Sequence, residues 1–100
     1  MRIVVEADPS IGQPATTYAE YRLFTALSRI GGEPAAGARV VLARAPGPES
    51  GERVSCALSV TRAGADELRV SATGPHACAA VDRAIDRLAR RSGQERTLSS

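Results

Sequence analysis

The chain has 100 residues, which is enough for one hydrophobic core and too few for two domains. Hydrophobic residues make up 43% of it and charged residues 24%, as in a soluble globular domain, and its apolar runs are far shorter than the roughly 20 residues that span a bilayer. All 13 basic residues are arginine, and against 11 acidic residues they leave a net charge of +2. The arginine preference fits either GC-rich codon usage or a need for the planar fork that binds phosphate, and it does not decide between them.

The N-terminal segment and the two cysteines indicate the cellular compartment. The apolar run near the N-terminus is short and is broken by Glu6 and Asp8, so the segment lacks the long apolar stretch and the cleavage site of a signal peptide. Cys56 and Cys78 do not have a metal-type spacing, so we expect reduced thiols and no metal site. These features predict a cytoplasmic protein.

The first half of the chain predicts a strand, a helix and a second strand. Residues 2–7 alternate between apolar and polar side chains, as a half-buried strand does. A polar loop then leads to a helix over residues 17–30, with Thr16 or Thr17 as its N-cap and a Gly-Gly pair as its end. A second strand follows over residues 38–45. The apolar face predicted for the helix comprises Leu23, Phe24, Leu27 and Ile30.

The second half predicts two strands and a second helix. Residues 53–60 and 67–73 alternate with a period of two, and a short turn joins them. The final helix has Pro75 at its N1 position and runs to about Arg91, where a Ser-Gly pair ends it and residues 93–100 form a flexible tail. The residues predicted to point toward the core are Val54, Cys56, Leu58 and Val60 in the first strand and Leu68, Val70 and Ala72 in the second.

This order of elements predicts an α+β fold of the form β-α-β-β-β-α. The strand-helix-strand unit implies a parallel pair, and the two short turns imply an antiparallel meander. We therefore expect one domain over residues 1–92, with a four-stranded mixed sheet and two helices packed on one face, followed by the tail at 93–100.

A row of arginines lies on the predicted final helix. Arg83, Arg87 and Arg90 are spaced i, i+4 and i+7, and neighbouring cations at such spacings oppose helix formation by about 0.2 to 0.5 kcal/mol per pair. Two interpretations remain open: an ordinary solvated face, or a surface whose guanidinium forks bind the phosphates of a nucleic acid. The candidate phosphate-binding residues are Arg22, Arg29, Arg83, Arg87, Arg90 and Arg91.

The segment VSATGPHACAAVDRAIDRLARR, residues 70–91, resembles the closing strand and helix of the ribosome hibernation-promoting factor and ribosome-associated inhibitor family. The family pattern has an alternating strand, a glycine, and a helix of the form AAID..IDKLARQ. Arg87 stands where that pattern has lysine. The positions that match are Ala79, Ala80, Val81, Asp82, Ile85, Asp86, Leu88, Ala89 and Arg90.

The resemblance implies a protein that binds the small ribosomal subunit and its RNA and inhibits translation under stress. It implies that basic residues on the outer faces of both helices make the contact, and by motif position it nominates Arg87 and Arg90. The extra C-terminal domain of the long family members does not fit in this length, so we expect the short form. No cofactor, membrane or small-molecule substrate is expected.

Two alternatives of other classes stay open. The first is a diverged protein-interaction or homodimerising module of the same fold, with the contact made by its edge strands. The second is an enzyme with a Cys/His nucleophile built from Cys56, His76 and Cys78. Residues 76 and 78 diverge by about 200° around a helix, which argues against such a pair, so we expect no catalytic residues.

Overall fold

The part of the chain that the structure describes forms four strands and two helices. The computed structural model describes residues 2–29, 35–45, 53–62 and 67–99, with the backbone alone for residues 29, 35 and 92–99. The predicted order and the α+β class are confirmed. In chain order the elements are β1 (Arg2–Ala7), α1 (Gln13–Arg29), β2 (Ala35–Ala45), β3 (Arg53–Arg62), β4 (Leu68–Gly74) and α2 (Ala77–Ser99).

The strands form one mixed sheet in the order β1-β2-β3-β4. Strand β1 is parallel to β2, because helix α1 carries the chain back across the sheet between them. Strands β2, β3 and β4 form an antiparallel meander, with Leu42 opposite Cys56 and Cys56 opposite Ala72. The sheet therefore has two edges, β1 on one side and β4 on the other.

The core lies between the sheet and the two helices. Every second residue of β3 from Val54 to Val60 is buried, with exposures between 0% for Cys56 and 5% for Val54. This confirms the alternation predicted for that strand. Each large apolar side chain removed from water in this way contributes roughly 1.5 to 3 kcal/mol of transfer free energy. Both helices pack on this same face. Their fully buried residues include Ala19 and Leu23 of α1 and Ala80, Val81, Ala84 and Leu88 of α2.

Helix α1 begins at Gln13, four residues earlier than predicted, and neither Thr16 nor Thr17 is its N-cap. Pro14 occupies its first turn, where the missing N–H costs nothing because first-turn N–H groups have no partner within the helix. A compact turn precedes the helix, in which Asp8 accepts the N–H of Ser10 at 2.9 Å. The prediction of a polar loop up to residue 16 is therefore wrong.

Phe24, predicted on the apolar face of α1, is 55% exposed. Leu23 is fully buried and Leu27 packs against the core, so the buried stripe passes to one side of Phe24. Position 24 follows Leu23 by one residue, which is about 100° around the helix and therefore off the packed face.

Helix α2 starts two residues later than predicted and extends further. His76 is its N-cap: the Nδ1 atom accepts the N–H of Ala79 at 3.2 Å, and the carbonyl accepts the N–H of Ala80 at 3.1 Å. Pro75 therefore precedes the cap and is not at N1. The helix continues through Gly93 to Ser99, because one glycine inside a helix costs only about 1 kcal/mol and no proline follows it.

Several predicted turns lie outside the described residues, namely the Gly-Gly end of α1 and the two short turns of the meander, at residues 46–52 and 63–66. Within the described residues, neither helix combines the length and the apolar character that crossing a membrane requires.

Candidate nucleic-acid interface

Three arginines of α2 bind the free edge of β4. Nη1 of Arg83 donates to the carbonyl of Thr73 at 2.9 Å, and Nη1 of Arg91 donates to the carbonyl of Arg69 at 2.9 Å. Between them, Nη1 of Arg87 donates to the carbonyl of Ser71. We call Arg83, Arg87 and Arg91 the arginine ladder.

The ladder follows from the geometry of a helix lying antiparallel beside a strand. Its arginines are four residues apart, which is about 6 Å along the helix axis. Their acceptors are two residues apart, which is roughly 6.6 Å along the strand. The two spacings are close enough for each arginine to meet the next outward carbonyl as α2 runs back along β4.

The ladder keeps its positive charge. A backbone carbonyl has no formal charge, so a hydrogen bond to it orients a guanidinium without neutralising it. All three side chains are exposed, and each described bond uses one of the five N–H donors of its guanidinium. None of the three forms an ion pair among the described side chains, so the surface beside β4 carries three oriented cations in a row.

Arg90 and Arg22, in contrast, are paired with carboxylates. Nη2 of Arg90 lies 2.9 Å from Oδ2 of Asp86, one helical turn earlier at i, i+4 spacing, and the Arg90 side chain is 74% exposed. Nε of Arg22 lies 3.3 Å from Oδ1 of Asp82 across the two helices. The two arginines that the family motif nominates therefore have different partners. Arg87 belongs to the ladder, which Arg91 continues, whereas Arg90 is paired with Asp86.

Asp82 also joins the helices through a tyrosine. The hydroxyl of Tyr18 donates to Oδ1 of Asp82 at 2.8 Å, on the same carboxylate that Arg22 contacts. This hydrogen bond to the carboxylate, with burial as the second cause, raises the pKa of the Tyr18 hydroxyl above its ordinary value. The two helices lie side by side, but Arg22 contacts Asp82 between them. The side chain of Arg29 lies outside the described residues.

An open groove of about 630 Å³ adjoins the ladder on the sheet. Arg69, Arg87 and Arg91 line it together with residues of β3 and β4, so it combines three guanidinium groups with serine hydroxyl groups. The residues around it are Ala57, Leu58, Ser59, Arg69, Val70, Ser71, Arg87 and Arg91.

The candidate Cys/His group does not form a nucleophile pair. Nδ1 of His76 is occupied by the helix cap, and burial raises the pKa of the Cys56 thiol to about 12, so that Cys56 is a neutral thiol at physiological pH. Cys78 is partly exposed on the first turn of α2. The described residues include no cluster of three or more histidine, cysteine, aspartate or glutamate side chains that could hold a metal ion.

Sequence reasoning missed the carbonyl edge of β4 and the Tyr18 hydroxyl as parts of this surface. The i, i+4, i+8 spacing of Arg83, Arg87 and Arg91 was the available signal for the first, because that spacing keeps side chains on one side of a helix. The second had no local signal, since Tyr18 and Asp82 are 64 residues apart in the chain.

No protein-family model matches the chain, and no curated protein matches it. Among solved structures, the N-terminal domain of Protein Y from Thermus thermophilus superimposes with a TM-score of 0.68 at 26% identity, over 93% of each chain. A ribosomal subunit interface protein from Coxiella burnetii superimposes with a TM-score of 0.71 at 13% identity, over 97% of this chain and 99% of the other. The resemblance of this chain to the ribosome hibernation-promoting factor and ribosome-associated inhibitor family is thereby confirmed.

Proposed function

We propose that the protein is a ribosome-associated factor that binds the RNA of the small subunit through its arginine ladder and so inhibits translation. Its similarity to a protein named for the ribosomal subunit interface supports the association with ribosomes. The observation that supports RNA as the ligand is that Arg83, Arg87 and Arg91 donate to backbone carbonyls and form no ion pair among the described side chains. On this proposal the protein acts in the cytoplasm, as a binding factor without catalysis.

The ladder suits phosphate for two physical reasons. A guanidinium donates two parallel hydrogen bonds to phosphate oxygens, and its charge releases condensed counterions from the RNA. The bonds to β4 hold the three side chains at a spacing of about 6 Å before any ligand arrives, so less rotamer entropy is lost on binding than for free side chains. The chain has one phenylalanine, two tyrosines and no tryptophan, so we propose contact with backbone and shape and not with stacked bases.

Arg22, Arg29 and Arg90 take secondary positions in this proposal. The Asp82 and Asp86 carboxylates already compensate Arg22 and Arg90, so these two arginines would have to exchange an aspartate for a phosphate. Arg29, nominated by the sequence alone, stays a candidate.

Cosedimentation with purified small subunits tests the proposal. We expect wild-type binding to weaken steeply between about 50 and 200 mM salt, and each ladder arginine lost to reduce the salt slope by roughly 0.7 to 0.9. Arg87→Gln should therefore lower the slope by about one, and the triple variant Arg83→Gln/Arg87→Gln/Arg91→Gln by about two to three. A translation assay in vitro should lose inhibition in the same order.

A matched control lies on the same helix. The double variant Asp86→Asn/Arg90→Gln removes one ion pair without changing the net charge, and we expect it to reduce the salt slope much less than Arg87→Gln does. Circular dichroism and urea unfolding establish that each variant is folded. The proposal is wrong if wild-type protein does not sediment with small subunits at low salt, or if Arg87→Gln and the triple variant keep the wild-type salt slope.

A further inference from the structure

Strand β1 forms the second edge of the sheet and hydrogen-bonds only to β2 among the described strands. The N–H of Asp8 donates to the carbonyl of Leu42 on β2 at 3.0 Å, so the backbone groups of even-numbered residues face β2. By the alternation of an extended strand, the N–H and C=O groups of Ile3, Val5 and Ala7 point away from the sheet. These groups are available to pair with another strand.

The two edges of the sheet differ in whether side chains occupy their outward backbone groups. At β4 the arginine ladder occupies the outward carbonyls of Arg69, Ser71 and Thr73, so another strand could pair there only by displacing three arginines. At β1 the apolar side chains are incompletely covered. Ile3 and Val5, on the side of the helices, are only half-buried, and Val4 on the opposite face is 37% exposed.

The sequence of β1 is complementary to itself when it is read in the opposite direction. An antiparallel pair centred on Val4 places Arg2 of one copy opposite Glu6 of the other, at both ends of the pair. The same register places Val4 opposite Val4 on the outer face and Ile3 opposite Val5 on the face of the helices. Opposite charges and apolar pairs directly across two strands are the stabilising combinations in a sheet.

The hydrogen-bond pattern allows this same register. Antiparallel strands exchange two hydrogen bonds between residues whose backbone groups both point into the pair, and these are the odd-numbered residues of β1. Ile3 opposite Val5 satisfies this condition twice, which gives four backbone hydrogen bonds around a two-fold axis at Val4. A shift by two residues keeps the hydrogen bonds but places Val4 opposite Glu6, so it loses the apolar pair.

We propose that the protein forms a symmetric homodimer in which the β1 strands of two copies pair antiparallel around Val4 and join their sheets into one of eight strands. Glu6 already accepts a hydrogen bond from Arg39 at 2.5 Å, so in the dimer this carboxylate lies between two guanidinium groups. The contact is small, so the dimer is weak, with a Kd of about 10 µM to 1 mM. The proposal is independent of RNA binding, because the ladder lies at the opposite edge of the sheet.

Analytical ultracentrifugation of the full chain over a range of concentrations tests the dimer. Arg2→Glu gives like charges, Glu opposite Glu, at both ends of the pair, and Glu6→Arg gives Arg opposite Arg at both ends. We expect each variant alone to dimerise at least about tenfold more weakly than the wild type, which corresponds to the loss of about 1.4 kcal/mol. An equimolar mixture restores Arg opposite Glu at both ends, so it should form a heterodimer with roughly the wild-type Kd.

A charge reversal away from β1 serves as the control. Arg69→Glu makes the same change in net charge as Arg2→Glu, at an exposed position of β4, and we expect it to dimerise as the wild type does. Three results would overturn the proposal: a wild type that stays monomeric up to about 1 mM, a wild-type dimer that tolerates both single variants, or a mixture that stays monomeric.

Discussion

Gly74 lies where strand β4 meets the first turn of α2, and a methyl group at this position should be strongly destabilising. A Cβ atom added there would lie 2.8 Å from the backbone nitrogen of Ala80 and 3.0 Å from the Cβ of Ala79. Ordinary contact begins near 3.4 Å, so the first turn of the helix must move away by about 0.6 Å. Because the atoms it meets include backbone, no side-chain rotation relieves the clash.

The size of the effect follows from two opposing terms. Overpacking costs about 1 to 3 kcal/mol, and a clash with backbone lies at the upper end of that range, whereas replacing glycine by alanine restricts the unfolded chain and returns about 0.4 to 1 kcal/mol. We therefore expect Gly74→Ala to lower the free energy of unfolding by about 2 kcal/mol, out of a total of about 5 to 15 kcal/mol for a domain. The same displacement shifts Arg83 relative to Thr73, so the first rung of the ladder should weaken as well.

Urea unfolding followed by circular dichroism measures this loss. With a slope of about 2 kcal/mol per molar, the midpoint should fall by about 1 M. Gly12→Ala is the matched control, because a Cβ at Gly12 would lie 3.5 Å from Cδ of Pro14, an ordinary contact, and we expect a change below about 0.5 kcal/mol. If Gly74→Ala and Gly12→Ala unfold at the same urea concentration as the wild type, the close approach at Gly74 does not limit the packing of α2.

Two further predictions concern ionisable groups. In a Tyr21→Phe background, the ultraviolet absorbance of the phenolate should titrate with a pKa above 10.0, and Asp82→Asn should bring the pKa of Tyr18 down toward that value. Because the folded pKa is raised, the stability that this hydrogen bond contributes is complete below pH 10 and is lost as the pH rises through the folded pKa; an unchanged titration in Asp82→Asn would contradict the assignment. Native protein treated with iodoacetamide at mildly alkaline pH should carry one label, on Cys78. Cys56 should react only in urea, because it is buried and its pKa is about 12. Mass spectrometry locates the label, and a label on Cys56 of the native protein would refute this prediction.

The alternation of apolar residues was sufficient to predict the sheet. Strand β3 shows why: every second residue from Val54 to Val60 is apolar, and a strand with one covered face has no other way to bury them. The helix ends were less predictable. Pro14 resembles a loop residue but suits a first turn, and Gly93 resembles a stop, although one glycine inside a helix costs only about 1 kcal/mol.

The arginines were predictable as a row but not as a structure. Their partners in β4 are backbone carbonyls, which carry no mark in the sequence and become acceptors only when α2 lies beside the edge strand. The pairing of Arg90 with Asp86 was predictable because it is local, at i and i+4. The joint of Tyr18 and Arg22 with Asp82 depends on how two helices pack, so it required the three-dimensional structure.

The difference between the two spacings in the arginine ladder limits how long such a row can be. Each step advances about 6.0 Å along the helix and about 6.6 Å along the strand, so the offset between an arginine and its acceptor carbonyl grows by about 0.6 Å per step. If Arg87 is aligned with its carbonyl, Arg83 and Arg91 are each offset by about 0.6 Å, which a long arginine side chain can accommodate. A fourth arginine would double that error, and at the next position of the series the sequence has Glu95.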